Sequence, residues 1–213
     1  SAGAPAVALD MIQAITDTCA SCRQWTRTGV RPIATHKVVS DFNEEVQFDL
    51  LFWTTHIILH MIDVCIRWST STLIPNRETA TILEAITHIW FRIYGPPKMI
   101  TTDHEGALDS DAGRVWAPRW GIKLNFRARG SHARMVERHN EIMRRTLHNV
   151  ADKCKRERIE VPPQTMLDEA CFAKNAMIAV AGQGTPYKAL LGRTPNIMLD
   201  FEPASATALE DED

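Results

Sequence analysis

Val46-Gln47-Phe48-Asp49-Leu50-Leu51-Phe52-Trp53, the run from His56 to Asp63 and the run from Trp68 to Ile74 follow one another with only short polar breaks. Each is rich in β-branched and aromatic residues, and such runs in succession predict three consecutive antiparallel strands. Arg77 to Tyr94 then carries Ile82, Leu83, Ile86, Ile89, Trp90 and Ile93 at three-and-four spacing and stops at Gly95-Pro96-Pro97. That pattern predicts an amphipathic helix over one sheet face. Lys98 to Thr102 and Ile122 to Phe126 read as short strands, and Ala133 to Arg158 as a long charged helix with Met135, Ile142, Met143, Leu147 and Val150 turned inward. Pro162-Pro163 opens a further helix, with Met166, Leu167, Ala170, Phe172 and Ala173 facing the core. Strands first, then alternating helix and strand, predict an α/β fold: a mixed sheet with helices on both faces.

The chain of 213 residues, 45% apolar and 23% charged, is long enough for one full domain and a smaller appendage. Residues 1–40 read as that appendage and a linker, with Cys19-x-x-Cys22 followed by Thr28-Gly29-Val30-Arg31-Pro32. Residues 41–198 form the domain, and 199–213, ending Glu210-Asp211-Glu212-Asp213, an acidic disordered tail. Five cysteines argue against a secreted disulfide framework and for a reducing compartment, cytosol or nucleus. The most apolar stretch, Leu50 to Ile62, is interrupted by Thr54, Thr55, His56 and His60. It falls short of the roughly 20 apolar residues of a membrane span. The opening at Ser1, without a charged-then-apolar leader, reads as a piece of something longer.

Three carboxylates stand out. Asp49 sits mid-strand in an apolar run, where it must be exposed on one face, paired or metal-bound. Asp103 ends a strand, where mixed sheets open toward their ligands, although an Asp there is also an ordinary turn former. Glu137 falls near the start of the long helix, where a carboxylate also suits the helix dipole. Acids that converge from separate elements need cations between them.

Phe42-Asn43-Glu44-Glu45-Val46-Gln47-Phe48-Asp49, Ile100-Thr101-Thr102-Asp103-His104-Glu105-Gly106 and Ser131-His132-Ala133-Arg134-Met135-Val136-Glu137-Arg138-His139-Asn140 resemble the Asp, Asp, Glu blocks of the integrase catalytic core of retroviruses and LTR retrotransposons. Gly184 to Pro195 resembles the segment that closes this core, and Cys19 to Trp25 the second half of the family's His-His-Cys-Cys zinc module. The resemblance implies an RNase H-like fold with a five-stranded mixed sheet, and an enzyme that processes and joins DNA ends. It also implies a homo-oligomer, acting in the nucleus after cytoplasmic assembly. Two features depart from the family: His104-Glu105 replaces its usual Asn-Gly, and no His precedes Cys19. Because a closed zinc site needs four ligands, no zinc is expected here.

Two divalent ions can activate the nucleophile, stabilise the leaving oxygen and neutralise charge at phosphorus, and carboxylate oxygens select Mg²⁺ or Mn²⁺. On this reading Asp49, Asp103 and Glu137 are both the catalytic residues and the metal ligands, with Asp49 bridging the ions. Between Arg127 and Arg158 there are ten Arg or Lys against four acids. Such a helix is often only a solvated face, but Arg144 lies two turns beyond Glu137 and is the leading candidate for a DNA phosphate contact. Arg134, Arg138, Arg145 and Asn140 complete the expected DNA-binding set, and Asn140 can also hydrogen-bond the acids. His132 and His139 are expected to be surface histidines, and Trp53, Trp68, Trp90, Trp116 and Trp120 core packing. Two other readings remain: a catalytically silent nucleic-acid- or protein-binding remnant, and, with less weight, an RNase H-type nuclease.

Overall fold

The computed structural model describes residues 11, 39–103, 108–126, 134–178 and 184–196. Strands β1 (Glu45–Trp53), β2 (His56–Asp63) and β3 (Ser69–Ile74) form an antiparallel meander. Strands β4 (Met99–Thr102) and β5 (Lys123–Phe126) add in parallel on the other side of β1, giving the order β3-β2-β1-β4-β5. The expected five-stranded mixed sheet is present, with β1 at its centre.

Alternation along β1 splits the helices into two layers. Val46, Phe48 and Leu50 join the core beneath α1, which begins as Thr79–Ile86, passes through a π-helical turn at Thr87–Phe91 and ends in Arg92–Tyr94. Leu51 and Trp53 pack with Met143 and Leu147, and with Leu167 and Ala170, on the opposite face. Met143 and Leu147 lie in α3 (Arg134–Glu157), and Leu167 and Ala170 in α4 (Pro163–Met177). Helix α2 (Asp111–Arg119) joins β4 to β5, and α5 (Pro186–Leu191) follows α4. Among the described residues no helix is long and apolar enough to cross a membrane.

Four details differ from the sequence expectation. Ile93 is 63% exposed and Phe91 is buried in its place, because the π-helical turn takes up an extra residue and shifts the phase of the apolar stripe. Phe172 is also exposed, and the inward positions of α4 include Cys171, Lys174 and Asn175 instead. Trp53 and Trp90 are core residues and Trp68 and Trp116 pack against the core, but Trp120 is exposed at its surface. Helix α2 had no counterpart in the sequence reading. Gly113 and Pro118 look like breakers, yet Ser110 caps the helix by accepting the Gly113 N–H at 3.2 Å, and Pro118 stands one residue before its end. The Cys19/Cys22 pair and the acidic tail lie outside the described residues.

Asn43 pins the entry to β1. Held at φ 65°, it donates from Nδ2 to the carbonyls of Tyr94, Gly95 and Pro96, and its Oδ1 accepts the Trp90 indole N–H at 2.8 Å. Its backbone N–H donates to Asp63 Oδ2 at 2.9 Å, so the start of β1, the end of α1 and the end of β2 meet on one residue. Trp90→Ala should cost about 3–5 kcal/mol in urea unfolding through the cavity it leaves. Trp90→Phe, which keeps much of the ring but strips Asn43 of its indole donor, should cost about 1–2 kcal/mol.

Candidate active site

One face of β1 is polar in its first half and apolar in its second. Glu45, Gln47 and Asp49 precede Leu51 and Trp53 on that face, and α3 matches the change along its own length. Near its start the Val136 N–H donates to Gln47 Oε1 at 3.2 Å, and one turn later Asn140 Nδ2 donates to Asp49 Oδ2 at 2.6 Å. Met143 and Leu147 then continue the same helix face over the apolar half. The neighbouring parallel strands extend the polar patch: Thr101 Oγ1 donates to Glu45 Oε1 at 2.9 Å and accepts from Asn125 Nδ2 at 3.1 Å.

The β1–β4 register runs Glu45 to Met99, Val46 to Ile100 and Gln47 to Thr101. Carried on by two residues, the same offset sets Asp103 level with Asp49, on strands about 4.8 Å apart. Glu137 lies one turn before Asn140 on α3, on a flank of the helix rather than in its innermost stripe of Val136, Asn140, Met143 and Leu147. The acids thus come from the central strand, the end of its parallel neighbour and the helix packed across it. Their oxygen donors suit a hard divalent cation. Among the described residues, no three His, Cys, Asp or Glu side chains are gathered into a group that could hold a metal ion.

Arg144 is exposed and shares the flank of Glu137, two turns along. Arg138 is exposed and Arg145 half-buried, and both point about a quarter turn or more further from the sheet. Arg134 lies at the first position of α3. Asn140 is only 5% exposed and directs its amide into the fold, to Asp49 and His60. His139 requires a correction. It is half-buried rather than a surface residue, its Nδ1 has no hydrogen-bond partner among the described residues, and burial lowers its pKa to about 2. His132 and the His104-Glu105 departure lie outside the described residues.

The sequence reading missed the side chains behind Asn140. His60 pairs with Asp49 across the β1–β2 ladder and is fully buried, with Nδ1 2.5 Å from Asn140 Oδ1 and Nε2 3.0 Å from Ser69 Oγ. Burial, aided by the nearby Lys174 ammonium, lowers its pKa to about 3. Lys174 is buried as well, donating to the Arg67 carbonyl at 3.1 Å, and burial brings its pKa down to about 8. A signal for His60 was present in the sequence: an imidazole within Ile57-Ile58-Leu59-His60-Met61-Ile62 must find hydrogen-bond partners or be costly.

Solved structures reproduce this architecture. The HTLV-2 integrase catalytic core domain in complex with magnesium, in its trimeric form, matches with a TM-score of 0.61 at 17% identity, over 72% of this chain and 99% of that one. The fold is that of a retroviral integrase catalytic core. The catalytic core domain of BIV integrase matches the same integrase-core fold with a TM-score of 0.59 at 16% identity, over 70% of this chain and 95% of that one. A simian T-cell lymphotropic virus intasome in complex with PP2A regulatory subunit B56 gamma gives 0.66 at 17% identity, over 92% of this chain and 69% of that one. No protein-family model matches the chain, and no curated protein does.

A histidine whose folded pKa lies below its unfolded value resists protonation in the fold. The His60 contribution to stability is therefore complete above about pH 6.5 and is lost as pH falls toward 3, with a slope of about 1.4 kcal/mol per pH unit. Urea midpoints measured between pH 7 and 4 should fall for the wild type, and His60→Asn should flatten that fall by about one proton's worth.

Proposed function

We propose that residues 41–198 are a metal-dependent polynucleotidyl transferase of the integrase type, which processes retroelement DNA ends and joins them to target DNA. The observation that carries this reading is the Asp49 carboxylate held by Asn140 on the central strand of an integrase-core fold, with the strand register bringing Asp103 level with it. Asp49, Asp103 and Glu137 are the residues that would hold Mg²⁺ or Mn²⁺. When bound, paired divalent ions polarise a phosphoryl oxygen and lower the pKa of attacking water.

The chain's own groups supply position. Asn140 fixes the direction of the Asp49 carboxylate, and Arg144 offers a guanidinium to phosphate on the flank that carries Glu137. Arg138 and Arg145 add positive charge further around α3, and Arg134 belongs to the same DNA-binding set. A parent polyprotein of LTR-retrotransposon or retroviral type, a homo-oligomer that holds two DNA ends, and work in the nucleus after cytoplasmic assembly all belong to this reading. Support for the oligomer is indirect: the HTLV-2 core is described in dimeric and trimeric forms, and the simian viral chain in an intasome.

Mg²⁺-dependent joining of preprocessed DNA ends to a target duplex tests the proposal. Asp49→Asn, Asp103→Asn and Glu137→Gln should each lower the rate by more than the roughly 10–100-fold that loss of an outer-shell partner costs. Unchanged joining in all three variants would rule out the assignment. Nicking without joining would move the reading to a nuclease, and neither reaction from the wild type would move it to a silent binding remnant.

DNA affinity over a salt series tests the helix face. Arg144→Ala should weaken binding to all sequences and reduce the slope of log K against log salt by about 1. Arg138→Ala should change it less.

A further inference from the structure

The polar groups buried behind Asp49 form a chain whose donors and acceptors can be assigned link by link. Asn140 Nδ2 lies 2.6 Å from Asp49 Oδ2. A carboxylate only accepts, so the amide nitrogen must face it, and Asn140 Oδ1 is left facing His60. A carbonyl oxygen also only accepts, so at 2.5 Å the proton must sit on His60 Nδ1. Nε2 is then the acceptor and takes the Ser69 hydroxyl hydrogen at 3.0 Å. The backbone at Ser69 is clamped in turn: its N–H donates to Asn175 Oδ1 at 2.9 Å, and its carbonyl accepts from Asn175 Nδ2 at 2.8 Å. Four elements, β1, α3, β2 and β3, are thus joined through one sequence of buried hydrogen bonds, and α4 anchors its far end.

We propose that His60 is a positioning residue for Asp49: by donating from Nδ1 to Asn140 Oδ1, it locks the Asn140 amide in the one orientation that presents N–H to the carboxylate. Its consequence for cation binding rests on the role of Asp49 proposed above. Without the His60 donor, the Asn140 amide can rotate by half a turn and set its oxygen against the oxygen of Asp49. Asp49 Oδ2 then loses this partner, and the Leu50 N–H at 2.8 Å from Oδ1 holds the carboxylate without it. Ser69 acts one step further back, because its hydroxyl holds His60 in the tautomer that has the proton on Nδ1. The neutral ring is the form present near pH 7, so the direction of the chain is preserved there.

Three variants of the whole chain test this: His60→Leu, His60→Asn and Ser69→Ala. Asparagine places its Nδ2 where the imidazole has Nδ1 and keeps the donor to Asn140, whereas leucine fills the space without one. The first measurement needs no metal: ¹⁵N NMR of the Asn140 side-chain amide and its hydrogen exchange. His60→Leu should speed that exchange about tenfold, as expected for one lost hydrogen bond, and His60→Asn should leave it close to wild type. Ser69→Ala should turn the His60 ring-nitrogen signals from a single tautomer into a mixture. The second measurement is a Mg²⁺ titration followed by NMR, in which His60→Leu should raise the half-saturating concentration about 10–100-fold and His60→Asn should restore it.

The proposal is overturned if a folded His60→Leu chain keeps wild-type exchange and Mg²⁺ binding, or if His60→Asn loses as much as His60→Leu. Should leucine prevent folding, unchanged Asn140 exchange together with an unchanged His60 tautomer in Ser69→Ala overturns it. If the wild type binds no Mg²⁺, the transferase reading fails, and the amide-exchange measurement alone decides the His60 relay.

Discussion

The hydrogen bond from Asn140 to Asp49 is the constraint on which the rest of the site depends. It spans 91 positions of sequence and fixes how far along β1 the long helix sits. A carboxylate on the inner face of a central strand is costly unless it is hydrogen-bonded, and an amide on the inner stripe of a helix is costly for the same reason. Each settles the cost of the other, but only at one register. With Asn140 over Asp49, Val136 comes to Gln47 and Met143 and Leu147 come to the apolar end of β1. A slide of α3 by one turn would set polar groups against Leu51 and Trp53, so apolar packing and hydrogen bonding select the same register.

The two faces of the sheet divide the work. Beneath α1 the core is apolar around Phe48, Ile86 and Trp90, and Asn43 ties its rim together through backbone carbonyls. Over α3 and α4 the core is apolar only at one end. At the other, Glu45, Gln47, Asp49, Thr101 and Asn125 form a polar surface backed by rigid strands. Groups on strands, locked by a further layer of hydrogen bonds, are held more precisely than groups on loops.

Much of this was legible in the chain. The strands of the meander, both parallel strands and the two long helices follow from apolar periodicity, because each buries one face and the period of that face is written into the residues. What periodicity cannot register is an irregularity in the backbone. The π-helical turn in α1 moved Phe91 inward and Ile93 outward, and α2 formed despite Gly113 and Pro118 because Ser110 caps it and its neighbours bury Ala117. Asp49, Asp103 and Glu137 were legible as residue types at suggestive places. Asn140 was visible as a polar group near them, but its burial and its two partners depend on tertiary packing. His60 and Ser69 were illegible as partners, since the pairing that joins them crosses strands and a helix whose relative register no local pattern reports.

The wide separation of its parts also governs when the site comes into being. The β1–β2–β3 meander closes through short connections, so its loop entropy is small and it can form early, with Asp49 and His60 already opposite each other. Asn140 can arrive only after α1, β4, α2 and β5 have been laid down, and Asn175 later still. During synthesis on the ribosome the acidic strand therefore emerges long before its amide partner. Until then Asp49 keeps only the local Leu50 N–H among these partners, and completion of the domain coincides with completion of the site.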